Sequence, residues 1–147
     1  MKSLQVFVAA GSLALLGCAQ VAQAATTITV TKTATCPCCE DWVAHMKKAG
    51  FTVQVRNVDD LTPIARKLGV PDKLRSCHTS QVGGYVIEGH VPATDVKRLL
   101  KLRPKAAGLA VPGMVAGSPG MDRESMRMAY KVVLFEKNGK SSVFASH

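Results

Sequence analysis

Three of the chain's five cysteines stand within four positions, in Cys36-Pro37-Cys38-Cys39. Cys36 and Cys39 have the C-x-x-C spacing of thiols that exchange with disulfides. Cys38 adds a sulfur inside that pair. Dithiol exchange uses two sulfurs, so a third beside them is better explained as a soft-metal ligand. The motif follows an alternating run, Thr27 to Lys32, and precedes a helix-like run, Glu40 to Ala49. A thiol where a strand turns into a helix faces the positive end of the helix dipole. That position lowers its pKa and favours the thiolate, the form that binds metals and attacks disulfides.

Further donors lie downstream. Cys77 and His78 are adjacent, His90 sits in Gly89-His90-Val91-Pro92, and Met114 and Met121 each follow a Pro-Gly pair, seven residues apart. A Pro-Gly pair sets a turn that presents the residue after it. The thioethers thus compete between two roles, soft ligand and filler of apolar gaps. His45 is expected at the surface or in packing, His147 frayed at the terminus, and Trp42 and Tyr85 structural.

The surrounding pattern says how these groups could meet. Thr27 to Lys32 and Phe51 to Val58 alternate as strands, and the helix between them ends at Gly50. Together they make a βαβ unit with the thiols at the C-terminal end of its first strand, where ligands gather in open α/β sheets. Asp60 to Gly69 reads as a short helix with Thr62 as N-cap and Pro63 at N1. Ser80 to Val82 and Tyr85 to Glu88 form a hairpin around Gly83-Gly84. Ala93 to Leu102 is a helix with Val96, Leu99 and Leu100 as its apolar stripe, stopped by Pro104. The order βαβ, helix, β-hairpin, helix predicts a thioredoxin-like α/β fold, in which the loop before the third strand faces the C-x-x-C turn. That loop carries Cys77 and His78 here. It lacks the proline that redox thioredoxins place before this strand, which favours ligation over thiol exchange, even though Cys36-Pro37-x-Cys39 resembles the glutaredoxin pattern. Residues 103–127 show no periodicity and read as a long Pro/Gly/Met loop, a feature often functional in compact domains. Tyr130 to Phe135 and Ser142 to Ala145 around Asn138-Gly139 predict a C-terminal β-hairpin.

At 147 residues the chain is one domain's worth. Residues 1–24 read as an export signal: Lys2 is the positive region, Leu4 to Gly17 the apolar one, and Ala22-Gln23-Ala24 the small-x-small cleavage site. Residues 25–147 then form the mature domain, expected in the periplasm and without a transmembrane segment. Leu15-Leu16-Gly17-Cys18 also resembles a lipobox. In that alternative the signal ends at residue 17 and an acylated Cys18 anchors the chain to the outer membrane. Removing the leader takes away Lys2 alone among charged residues. It leaves 18 basic against 10 acidic side chains, or +8. The charges are dispersed and not interleaved with aromatics, which argues against a nucleic-acid partner; solvated basic faces, or attraction to an anionic membrane surface, account for them. Export brings an oxidising compartment. Four remaining cysteines would allow two structural disulfides in three pairings. Crowding opposes them: Cys38 and Cys39 are adjacent, and only Cys77 is distant. A chain of roughly 120 residues can also build its core without such bonds.

Cu(I) prefers thiolate and thioether sulfur and accepts imidazole. Cys36, Cys38, Cys39, Cys77, His78, His90, Met114 and Met121 supply that set. Clustered thiolates repel unless cations lie between them, so several bridging Cu(I) ions are expected. One Zn2+ would use four ligands and leave the thioethers idle, and the cysteine spacing is not that of a zinc ribbon.

Several blocks together resemble a known family: Cys36-Pro37-Cys38-Cys39-Glu40-Asp41-Trp42, Ser76-Cys77-His78-Thr79, Gly84 to Pro92, and Gly108 to Met114 with Gly117 to Met121. They are similar to the CopG-type family, small exported bacterial metal-binding proteins linked to copper resistance. The resemblance runs from about Thr27 to Tyr130. It implies a thioredoxin-like fold, periplasmic copper handling with a copper-handling or redox partner protein, and a cysteine-bridged copper cluster on the C-x-C-C motif with Cu(I)/Cu(II) interconversion. Pro37 stands where the family commonly has Gly, and Val115 where it often has Pro. Neither change removes a ligand. Two other functions compete: a thiol-disulfide oxidoreductase using Cys36 and Cys39, and a metallochaperone that passes copper on without redox turnover.

Overall fold

Alternation of apolar and polar residues makes Thr27–Lys32 a strand, β1, with Ile28, Val30 and Lys32 turned inward. The computed structural model describes residues 26–121 and 127–147; the leader read at 1–24, with Cys18, lies outside them. After β1 come α1 (Pro37–Lys48), β2 (Thr52–Asn57), α2 (Thr62–Lys67) and a 3-10 turn (Asp72–Leu74). They are followed by β3 (His78–Val82), β4 (Tyr85–Glu88), α3 (Ala93–Leu102), β5 (Gly108–Ala110), β6 (Lys131–Phe135) and β7 (Ser141–Ser146). The strands form one mixed sheet in the order β2-β1-β3-β4-β5-β6-β7. β1 runs parallel to β2, as the crossover through α1 requires, and β4 parallel to β5 after the crossover through α3. The remaining neighbours are antiparallel.

Period-two alternation divides the apolar residues between two faces. Tyr85, Ile87, Leu109 and Val132 join Trp42, Val43 and Met46 of α1 and Val96 and Leu99 of α3 in the larger core. Val86, Ala110 and Phe135, their strand neighbours, pack with Ala65 of α2 on the opposite face. The sheet is therefore covered on both sides. The ends of α1 and α2 are closed in the same way: Gly50 N–H bonds the Lys47 carbonyl and Phe51 N–H that of Met46, and Gly69 and Val70 repeat the pattern after α2. Each pair satisfies carbonyls that a helix end would leave unpaired, and each seats an apolar residue in the core just beyond it.

Four expectations need correction. α1 begins at Pro37, not Glu40, because Pro at N1 is pre-set for the helix and Cys36 takes the N-cap in extended conformation. Cys38 and Cys39 therefore belong to the first helical turn. Thr62 is not the N-cap of α2: that position is Leu61, and the Asp60 carboxylate accepts the Thr62 N–H at 2.8 Å. That bond is the main reason the Asp60 carboxyl lies below its ordinary pKa. The loop after α3 is not wholly irregular, since Gly108–Ala110 forms β5, held by strands on both sides. His147 is not frayed. It exchanges backbone hydrogen bonds with Tyr130, stacks on the Tyr130 ring, and meets the buried Asp95 carboxylate at 2.7 Å.

Candidate metal centre

The β1–β3 register sets Lys32 opposite His78. This pairing carries the chain just before β3, Ser76 and Cys77, over the first turn of α1. There the sulfurs converge. Cys36 Sγ and Cys38 Sγ are 3.5 Å apart, and Cys38 Sγ and Cys77 Sγ 3.9 Å. Cys39 Sγ lies 3.5 Å from the Cys77 carbonyl oxygen. Cys36 and Cys39 are joined by a disulfide with Cα atoms 5.3 Å apart, within the span such a bond needs. Crowding therefore does not prevent a C-x-x-C bridge; one helical turn brings the two ends together and leaves Cys38 beside them. Among the described residues Cys38 and Cys77 are the free cysteines.

Cys77 also faces two imidazoles, His90 Nε2 at 3.0 Å and His78 Nδ1 at 3.4 Å. His90 Nδ1 is 2.8 Å from the Pro119 carbonyl oxygen. A carbonyl only accepts, so Nδ1 carries the proton and the Nε2 lone pair points at Cys77. This is the arrangement by which a ligating histidine is held for its metal. His78 is fully buried, its ring 4.4 Å from that of Trp42, and its Nε2 has no hydrogen-bond partner. A buried imidazole nitrogen without a partner is costly unless an ion or water completes it. Two groups of donors could hold a metal: Cys36, Cys38, Cys39 and Cys77, and Cys77, His78 and His90, each with its atoms within 4.8 Å of one another.

Burial sets the protonation states. The Cys77 thiol is pushed up to about 12 by burial and then by the neighbouring Cys38. Cys77 lies on the loop before β3, away from the strand-to-helix turn where a helix dipole is expected to favour the thiolate, and desolvation governs it. His78 is pulled down to about 3 by burial, helped by His90 and Lys32, and His90 is lowered by burial against its bond to Pro119. Both rings are thus neutral at neutral pH and offer lone pairs, while Cys77 must release a proton to bind a metal.

The two Pro-Gly turns flank this cluster through their backbones. Gly113 N–H donates to the Arg75 carbonyl at 3.0 Å, and the Ser76 hydroxyl donates to the Gly113 carbonyl. The second turn supplies the Pro119 carbonyl to His90 and lays Gly120 against Cys38 O and Trp42 N of α1. Of the thioethers, Met121 is half-buried directly after Gly120, whereas Met114 stands out from the surface, 60 % exposed. The structure thus brings Cys36, Cys38, Cys39, Cys77, His78 and His90 together, and leaves the Met114 side chain facing outward.

Three residues near the cluster escape a search for metal ligands. Lys32 is 1 % exposed, donates to the Thr33 carbonyl at 3.1 Å and pairs with Glu40 at 2.6 Å. Its inward position was legible in the alternation of β1. Its positive charge helps keep the His78 ring neutral. Glu88, 1 % exposed, accepts the Ser76 N–H and the Thr79 hydroxyl, each at 2.7 Å. It fixes the backbone that carries Cys77. Pro119 acts through its carbonyl, which no residue-type pattern reveals. His45 belongs to packing in a specific way, since its Nε2 accepts the Ala93 N–H at 3.1 Å and so caps α3 from α1.

The chain is thus a mixed α/β domain with a cysteine–histidine donor group, able to hold a metal ion, beside the helix that follows its first strand. Two solved structures, "Copper resistance protein copG- Form 2" and "Form 1", are similar to it. The first has a TM-score of 0.80 at 41% identity, covering 84% of this chain and 98% of its own; the second has 0.78 at 41%, covering 82% and 96%. The family described as "Protein of unknown function, DUF411" matches residues 74–121, the span from the 3-10 turn through the second Pro-Gly-Met. No curated protein matches. The chain belongs to the CopG-type copper resistance family.

Proposed function

We propose that the protein binds Cu(I) in the periplasm as part of copper resistance. The observation that carries this reading is the convergence of four cysteine sulfurs, drawn from two distant segments, into one donor group beside two imidazoles. In the reduced chain Cys36, Cys38, Cys39 and Cys77 supply thiolates, His78 and His90 complete the set, and Met121 and Met114 serve as inner and outer thioethers. Copper, as cargo, brings positive charge that lets the thiolates lie close and a one-electron couple between its two common states. Soft sulfur favours Cu(I) over harder divalent ions. The chain's own residues do the rest: Pro119 aims His90, Glu88 holds the Cys77 loop, and Lys32 helps keep His78 neutral. The copper resistance role named for the related structures, and the export signal read in residues 1–24, support the copper and periplasmic parts. The parallel β1–β2 pair, the β3–β4 hairpin and the order β2-β1-β3-β4 support a thioredoxin-like reading of the fold. Among the described residues no helix is long and apolar enough to cross a membrane.

Titration of the reduced, anaerobic mature chain with Cu(I) against a competing chelator tests this. Several ions bound tightly per chain are expected, and a Cys36/Cys38/Cys39 triple serine variant should lose them. Wild-type affinity in that variant would sink the reading. The Cys36–Cys39 disulfide supports a second one, thiol-disulfide exchange. Disulfide reductase activity that survives Cys38→Ser and vanishes in Cys36→Ser would promote it.

A further inference from the structure

Cys77 is shared by the two donor groups, and the disulfide affects them differently. The Cys36–Cys39 bond removes two of the four sulfurs in the first group from service. It touches none of Cys77, His78 and His90. The second group is complete in the same structure that holds the disulfide. Its donors stand 3.0 and 3.4 Å from the shared sulfur. Ligands bound at about 2.0–2.3 Å to one ion lie roughly 3.0–3.8 Å apart, so the spacing already suits a single ion. The Pro119 carbonyl fixes the His90 tautomer that presents its lone pair, and the fully buried His78 turns its Nδ1 toward the same sulfur. Two imidazoles and one thiolate are a harder set than four thiolates and suit a borderline divalent ion such as Cu(II).

We propose that the chain has two metal-binding modes selected by the state of Cys36 and Cys39. With both reduced, the sulfur group takes soft monovalent copper; this half rests on the function proposed above. With the disulfide formed, Cys77, His78 and His90 hold one divalent ion, with its remaining position open. In the conversion two S–H bonds break and one S–S bond forms. Two electrons and two protons pass to an external disulfide, whose S–S bond breaks to give a dithiol. Metal capacity is thereby tied to the thiol redox state of the compartment.

The test uses the mature chain in its disulfide form, with two free thiols verified by titration, and anaerobic Co(II) as the divalent probe. One Co(II) per chain is expected, with a sulfur-to-cobalt charge-transfer band. Cys77→Ser should abolish the band, and His90→Gln should weaken binding by at least about tenfold. Cys38→Ser should retain the band and the single bound Co(II), because its sulfur is not a ligand in this mode. Near-ultraviolet circular dichroism of each metal-free variant establishes that its fold is intact. No Co(II) uptake by the disulfide form, a band that survives Cys77→Ser in a folded variant, or a band lost in folded Cys38→Ser would each overturn the proposal. Cu(I) uptake by the reduced chain is measured in parallel. Its failure alongside intact Co(II) binding refutes the copper reading and upholds the divalent site.

Discussion

The duplicated Pro-Gly-Met turns provide their own control experiment. Gly113 and Gly120 both have positive φ, +71° and +85°, where an L side chain is strained. A Cβ added at Gly113 meets nothing within 4 Å, whereas one at Gly120 would lie 2.8 Å from both Cys38 O and Trp42 N. Gly113→Ala should therefore cost only the left-handed conformation, about 1–2 kcal/mol. Gly120→Ala incurs the same strain and also collides with the backbone of α1, which cannot swing aside as a flexible side chain could. The turn must lift off, and Pro119 lifts with it. The His90 Nδ1–H then loses its acceptor, which adds about 1–3 kcal/mol for a buried donor left unpaired. The total is on the order of 2–5 kcal/mol. With an m-value of about 1–3 kcal/mol per molar urea, Gly120→Ala should shift the unfolding midpoint by on the order of 1 M more than Gly113→Ala. A chelator-competition titration should show copper affinity reduced about 10–100-fold in Gly120→Ala, as when a ligand's supporting hydrogen bond is removed, and unchanged in Gly113→Ala. Equal urea midpoints for the two variants would refute the packing argument. Unequal midpoints with equal copper affinity would refute the role given to Pro119 in aiming His90.

Other substitutions probe the frame. Gly108→Ala places a Cβ inside the Val86 backbone across the β4–β5 pair; it should destabilise the fold by more than about 4 kcal/mol, read as a lost or sharply lowered melting transition. Trp42 is fully buried and donates to the Val91 carbonyl at 2.9 Å. Trp42→Phe should cost about 2–4 kcal/mol in urea unfolding, from the cavity and the orphaned carbonyl, and a change below about 1 kcal/mol would contradict it. Burial raises the Glu88 pKa above 4.5, although its bonds from Thr79 and Ser76 pull the other way. A raised folded pKa means a stability contribution present below the unfolded value and lost as pH rises through the folded one. Glu88→Gln cannot ionise and escapes that loss. Its urea midpoint should gain on wild type as pH increases from about 4 to 7, and a gap that is constant or moves in favour of wild type would oppose the assignment.

The elements legible in the sequence are those fixed by local rules. β1, the Gly83-Gly84 hairpin, α3 and the C-terminal hairpin each carry their own periodicity and turn residues, and each was found within a residue or two of its bounds. The start of α1 was missed because Cys36 at the N-cap makes no side-chain capping bond, so the usual signal was absent. β5 was missed because Gly108-Leu109-Ala110 is too short for a period and exists only by pairing on both sides. The fate of His147 depended on Asp95, 52 positions earlier, which no local pattern connects to it.

The site divides along the same line. Residue type and spacing singled out the candidate donors: clustered cysteines and a second Cys-His pair offer soft donor atoms wherever the chain folds. Their order along the chain also placed Cys77 opposite the C-x-C-C turn. Tertiary structure decided what could not follow from order alone. It bonded Cys36 to Cys39 around Cys38, because one helical turn sets their separation. It neutralised His78 and His90 and raised Cys77, because desolvation depends on everything packed above them. It turned Met114 outward while seating Gly120 on α1, so that two identical tripeptides do different work. And it recruited Pro119 through a backbone carbonyl, a group every residue carries and whose direction only the folded chain defines.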